Sequence, residues 1–316
     1  MSHVMLERLV KFWRGFPGNL PQYSKQLIFK INNKIYEEKY KNGIDVIEKD
    51  WDNLIILDAC RYDYFSEVNS LNGELTSAVS RASQSEAFIE KTFSGRELHD
   101  TIYITANPYA NNLSSSTFFK MKMAVDEWNY ELNTVLPSNL AELAINVHKK
   151  YPNKRLIIHF MQPHEPHLGE KAKKIRERVD LRGYDIHHAN DGVNLNREGI
   201  NSWMAARRGL VADDEIREAY RQTLKIVLDE VEELIKRLGG KSTITADHGE
   251  MLGERVLSIK KCYGHPRGLK TQALREVPWF TTQCGARRKI TTGEPRSSEH
   301  LDDGQIEKRL EALGYR

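Results

Sequence analysis

Residues 51–65 read WDNLIILDACRYDYF, and four aliphatic side chains, Leu54, Ile55, Ile56 and Leu57, run without a break into Asp58. An unbroken apolar run of this length fits a strand buried on both faces, as in a parallel sheet covered by helices. A carboxylate at the end of such a strand is costly to bury unless something compensates its charge. Asp58 is therefore the residue whose placement needs a reason.

Working outward, three further runs have the same character: TIYITA at 101–106, RLIIHFM at 155–161 and STITADH at 242–248. Before the last of them, DEIREAYRQTLKIVLDEVEELIKRLGG at 214–240 places Ile216, Tyr220, Leu224, Val227, Leu228, Val231 and Leu234 on one helical face and stops at Gly239 and Gly240. A second helix is expected over 137–150, where Pro137 and Ser138 are suitable start residues. Strands alternating with helices imply an α/β fold, a mostly parallel central sheet with helices on both faces. In such sheets ligands bind beyond the carboxyl ends of the strands. That edge collects Asp58, Asn107, the segment from Gln162 to His167, and Asp247 with His248.

The 316 residues are 40% hydrophobic, enough for a substantial core. Basic residues number 47 against 44 acidic, a net charge of +3 with no dense basic block, which argues against a nucleic-acid partner. No apolar run reaches the roughly 20 residues of a membrane helix. No pattern of charged start, apolar middle and small-residue cleavage site is visible at the N-terminus, so the expected location is the cytoplasm. Cys60, Cys262 and Cys284 are far apart and form no CxxC pair, so neither a disulfide framework nor a zinc knuckle is expected.

Three stretches divide the chain: an N-terminal helical extension at 1–50, a catalytic domain at 51–290 with an insertion or lid at 168–213, and a C-terminal helical tail at 291–316. Within MLERLVKFWRGF at 5–16, Leu6, Leu9, Val10 and Trp13 recur at helical spacing among Arg8, Lys11 and Arg14. That helix either docks on the domain or lies peripherally on a membrane surface.

The chemistry concentrates in Asp247-His248-Gly249-Glu250. A carboxylate and an imidazole side by side at a strand end offer one oxygen and one nitrogen to a single divalent cation. Asp58 on the same sheet edge would repel Asp247 unless a cation or a proton lay between them. Asp58 can equally cap the following helix. QPHEPHLG puts His164 and His167 after an apolar strand, and CYGHPRG puts His265 in a Gly/Pro loop. Arg61 has two open readings: its fork binds phosphoryl oxygens, or it pairs with Asp63. Cys60 reads as a packing residue, with nucleophile as the alternative.

The order LIILDACRYD, a Ser-rich segment, HFMQPHEPH, TADHGE, GHP and REVPWF resembles the alkaline phosphatase superfamily, in its sulfatase-like and phosphotransferase branch, over roughly residues 50 to 285. The resemblance implies one or two divalent cations (zinc, manganese, magnesium or calcium) and a hydrolase or transferase acting on a phosphate ester through a phosphoseryl intermediate. The substrate would be a small-molecule, glycan-linked or lipid-linked phosphate or sulfate ester. By the same resemblance Asp58, Asp247 and His248 match metal ligands, and His265 matches a histidine that holds either a second metal or the substrate anion. His164, with His167 less closely, matches the substrate-facing histidines. In SAVSRASQSEAFIEKTFSG, counting back ten from Gly95 reaches Ser85 as the metal-bound nucleophile, with Ser83 the runner-up. Ile89 stands where a formylglycine sulfatase carries arginine, which favours phosphate over sulfate esters. A sulfate ester hydrolase of the same superfamily and a non-catalytic binder of a phosphorylated glycan or protein are the alternatives.

Overall fold

The aliphatic run before Asp58 forms β1 (Asn53–Leu57), and every residue of it is buried. Alternate side chains point to opposite faces of a strand. Ile55 and Leu57 accordingly enter one core, while Leu54 and Ile56 enter the other. The computed structural model describes residues 22–124, 126–179, 181, 200–296 and 304. The amphipathic run at 5–16, the middle of the 168–213 segment and the tail beyond 296, residue 304 excepted, lie outside the described residues.

In chain order the elements are α1 (Gln22–Ile35), β1, α2 (Tyr62–Val68), β2 (Glu74–Val79), α3 (Ser85–Phe93), β3 (Leu98–Thr105), a 3-10 turn (Pro108–Asn112), β4 (Phe118–Met123), β5 (Trp128–Asn129) and β6 (Thr134–Val135). They continue with α4 (Pro137–Lys150), β7 (Arg155–Phe160), α5 (Gly169–Arg178), α6 (Ser202–Arg207), α7 (Asp213–Leu238), β8 (Gly240–Thr245), β9 (Met251–Val256), β10 (Lys260–Gly264), α8 (Gln272–Arg275) and β11 (Glu276–Cys284).

Seven strands form the main sheet in the order β2-β11-β8-β1-β7-β3-β4. The pairs β8-β1, β1-β7, β7-β3 and β3-β4 are parallel, and β11 is antiparallel to both of its neighbours. Helices α4 and α7 cover one face, where Leu140, Ala144, Leu224, Val227 and Val231 join Ile55 and Ile158. Helix α3 covers the other, with Phe88, Ile89 and Phe93 against Leu54, Ile56 and Ile157. The mostly parallel sheet with helices on both faces is the architecture expected from the sequence. The four apolar runs are the four adjacent strands β8, β1, β7 and β3.

Three strands of the main sheet escaped the sequence reading. In β11, Pro278 breaks the strand pattern, because proline cannot donate to a ladder. Pro278 pairs only with β2, opposite Ser77, while the pairing with β8 begins two residues later at Phe280. Strand β2 is largely exposed and lacks an apolar run, and β4, FFKMKM, is interrupted by lysines.

Candidate metal centre

Asp58, Asn107, Gln162 to His167, and Asp247 with His248 all lie just past the carboxyl ends of β1, β3, β7 and β8. Strand β2 runs the same way, and the chain leaving it reaches Ser85, the first residue of α3. Five segments distant in sequence thus deliver polar side chains to one buried edge.

The Ser85 hydroxyl donates to Asp58 Oδ2 at 3.1 Å and stands 3.2 Å from His248 Nε2. Asp58 Oδ2 also accepts from Asn107 Nδ2 at 2.9 Å. Asp247 Oδ1 accepts two backbone N–H groups, from Ala59 at 3.1 Å and from His248 at 2.8 Å. Asp247 Oδ2 lies 3.5 Å from His248 Nε2 and 3.7 Å from His159 Nε2, and has no hydrogen-bond partner among the described residues. His248 Nδ1 faces the Gly249 carbonyl at 2.9 Å. A carbonyl only accepts, so the proton sits on Nδ1 and Nε2 turns a lone pair inward.

The cluster therefore gathers two carboxylates and a ring lone pair around one hydroxyl proton, all of it buried. Such a set of acceptors in a low-dielectric interior needs a positive charge among them. Asp58, His159 and Asp247 each present a ligand atom, all within 4.8 Å of one another, which fits a divalent cation. Burial works against ionisation of Asp247, but the neighbouring His248 and His159 hold its carboxyl below the usual range.

A second set adjoins the first. His164, Glu250 and His265 also bring ligand atoms within 4.8 Å of one another. His265 Nδ1 is 3.1 Å from Glu250 Oε1, and the His248 and His265 rings have centroids 4.6 Å apart. Burial pushes the Glu250 carboxyl up to about 8 and drops the His265 imidazole to about 4. Burial likewise lowers His164, whose Nδ1 meets the Glu165 carbonyl at 2.7 Å. The two sets together can hold one or two divalent cations.

Gly249 makes this packing possible. A Cβ there would stand 2.0 Å from the Ala273 carbonyl oxygen and 3.1 Å from Arg61 Cγ.

Other candidates fall outside the two sets. Arg61 is committed elsewhere: its Nε and Nη2 bond Asp63, its Nη1 pairs with Glu254, and the same nitrogen donates to the Glu250 carbonyl. This corrects the reading of Arg61 as a phosphoryl clamp, because a fork occupied by two carboxylates has no face left for an anion. His167 packs edge-on against Trp203 and Tyr220. Ser83 makes no hydrogen bond to the cluster among the described residues. Cys60 is fully buried, and burial raises its thiol far above the range of a reactive cysteine.

Three participants were not identified from the sequence. His159 looked like part of an apolar strand, yet an imidazole near the end of a central strand needs a buried partner, and that was its signal. Asn107 was placed at the right edge without a role. Glu250 lay inside the tetrapeptide already chosen, and it is the carboxylate a second cation requires.

No protein-family model matches the chain, and no curated protein matches it. Solved structures do. The C-terminal periplasmic domain of EptC from Escherichia coli, in complex with zinc, is 14% identical with a TM-score of 0.47, the match covering 77% of this chain and 76% of that one. The C-terminal periplasmic domain of the phosphoethanolamine transferase EptC from Campylobacter jejuni is 12% identical, with a TM-score of 0.43 and coverage of 83% and 87%. A 2-O GAG sulfatase is 15% identical, with a TM-score of 0.42 and coverage of 83% and 70%. The likeness to these phosphotransferase and sulfatase structures concerns the fold. Against the cytoplasmic expectation, the transferase structures matched here are periplasmic domains. Among the described residues no helix is long and apolar enough to cross a membrane.

Proposed function

We propose that the chain is a metal-dependent phosphoester hydrolase or transferase working through a phosphoseryl intermediate on Ser85. The observation that carries this reading is the placement of the Ser85 hydroxyl, at the N-terminus of α3, against Asp58 Oδ2 and His248 Nε2 within a buried set of acceptors. Asp58, Asp247, His248 and His159 would hold one divalent cation, with His164, Glu250 and His265 available for a second or for the substrate anion. A bound divalent cation lowers the pKa of an adjacent hydroxyl and neutralises charge on phosphoryl oxygens.

The residues themselves do the rest. Asp58 orients the Ser85 hydroxyl, and Asn107 fixes the Asp58 oxygen that receives it. Ser85 Oγ gives its proton to water as it bonds to phosphorus, the bond to the ester oxygen breaks, and the departing oxygen takes a proton from water in turn, so no net proton is consumed. The helix N-terminus favours the phosphoryl group on Ser85. Water or an acceptor hydroxyl then attacks phosphorus and frees the serine. His164 and His265 line the side from which the substrate anion enters.

A phosphate rather than a sulfate ester is favoured by Ile89, which is 1% exposed on the core face of α3 and offers no charge to a substrate. Aryl phosphomonoester, phosphodiester and sulfate substrates, assayed with the unaltered chain and with Ser85→Ala, test the reading. Turnover of a phosphate ester that vanishes in Ser85→Ala while bound metal stays stoichiometric supports it. Full activity in that variant moves the nucleophile elsewhere. Metal binding with no turnover of any ester favours a binder of phosphorylated glycan or protein.

A further inference from the structure

Ala59, the residue after Asp58, has φ +61° and is fully buried. A side chain with a Cβ crowds its own carbonyl in the left-handed region, so this conformation has to be held from outside. Both ends of the residue are held. Its N–H donates to Asp247 Oδ1, and its carbonyl accepts from the Tyr220 hydroxyl at 2.7 Å. The same hydroxyl accepts the Arg61 N–H at 3.0 Å, so one phenol oxygen clamps the chain on both sides of Cys60.

Tyr220 is placed rigidly enough to act as a clamp. It lies on the core face of α7, is fully buried, and has the Tyr64 ring edge-on at 5.0 Å and the His167 ring at 6.1 Å. At the other end, Asp247 Oδ1 is occupied by Ala59 N–H and His248 N–H, which leaves Oδ2 as the oxygen that faces His159 and His248.

From this we infer that Tyr220 is a positioning residue of the metal centre: its hydroxyl holds Ala59 at positive φ, which aims the Ala59 N–H at Asp247 Oδ1 and fixes Oδ2 toward the cation. This rests on the metal reading above. Without the hydroxyl Ala59 relaxes toward ordinary φ, its N–H swings away, and the Asp247 carboxylate can turn. Glycine at the same position has no such preference to overcome, which gives a specific test.

Zinc affinity is measured by chelator competition on four full chains: unaltered, Tyr220→Phe, Ala59→Gly and the double variant. Tyr220→Phe is expected to weaken zinc binding by about tenfold or more, the usual cost of losing a group that orients a ligand. Ala59→Gly alone leaves affinity within about twofold, and in that background Tyr220→Phe loses much less. Unchanged affinity in Tyr220→Phe overturns the inference, as does an equal loss in both backgrounds, which a purely structural hydroxyl would give. Should Tyr220→Phe not fold, Ala59→Gly decides alone: a raised unfolding midpoint supports the strained clamp and a lowered one overturns it. Failure of the unaltered chain to bind zinc sinks the metal reading instead. The clamp is then read from the four unfolding midpoints, where a loss that shrinks in the Ala59→Gly background supports it and an equal loss overturns it.

Discussion

At the residue scale the site is an accumulation of acceptors, and its variants should separate by what they remove. Ser85→Ala deletes a nucleophile without touching a carboxylate, so turnover should fall by about three orders of magnitude or more with metal content unchanged. Asp247→Ala removes the oxygen that faces both imidazoles. Elemental analysis should show the metal lost together with the activity. Tyr103 tests the ring that sequence reading missed. Its hydroxyl is 2.9 Å from His159 Nδ1, which fixes the ring so that Nε2 faces Asp247. Tyr103→Phe should therefore weaken metal binding by about tenfold, measured by equilibrium dialysis, while the far-UV spectrum is unchanged.

At the scale of elements, the turn after β8 depends on glycine because of contact and not because of φ. Gly249→Ala drives a methyl into the Ala273 carbonyl at the start of β11's approach, so α8 or the Asp247 turn must move. Overpacking of this kind costs about 1–3 kcal/mol, and backbone leaves little room to give. A thermal midpoint lowered by several degrees, with metal affinity reduced, is the expected outcome. An unchanged midpoint would mean the turn is looser than its contacts indicate. Ile89 lies on the buried face of α3, the helix that carries Ser85, in one core with Leu54 and Ile56, so that position serves packing rather than substrate binding.

At the scale of the whole molecule, buried titratable groups set a pH optimum for the metal-free protein. Burial raises Glu165 and Glu250 to about 8 from 4.5. Their contribution is fully present below about 4.5 and is lost as pH rises toward 8. Burial lowers His148, His167 and His265 to about 4 from 6.5, so their contribution is present above 6.5 and is lost as pH falls toward 4. The unfolded histidines lose their protons around 6.5, so from about pH 7 to 8 the two glutamates outweigh them among the described groups, each acting at about 1.4 kcal/mol per pH unit. Denaturant unfolding of the metal-free chain should show stability falling across that window. Added metal should restore more stability at pH 8 than at pH 6.5, because it needs Glu250 ionised. A flat metal-free profile from about pH 7 to 8 would contradict the burial of these carboxyls.

The sequence by itself determined the sheet and its working edge. Strands buried on both faces must be apolar throughout, so β1, β3, β7 and β8 were legible as runs, and the polar residues that ended them marked the edge. It also determined Asp247 and His248, whose adjacency needs no folding to bring about. The edge strands β2 and β4 and their inner neighbour β11 were not legible, because a strand with one exposed face or a proline tolerates nearly any pattern. Only the tertiary structure decided which distant residues meet. His159 and Glu250 became candidate ligands because β7 and the turn after β8 face each other across β1. Arg61 left the site because Glu254 came within reach of its guanidinium. Tyr220, expected only as a core residue of its helix, touches the Asp58 turn through its hydroxyl. Periodicity records which face of an element is buried, and it carries no information about what that face will touch.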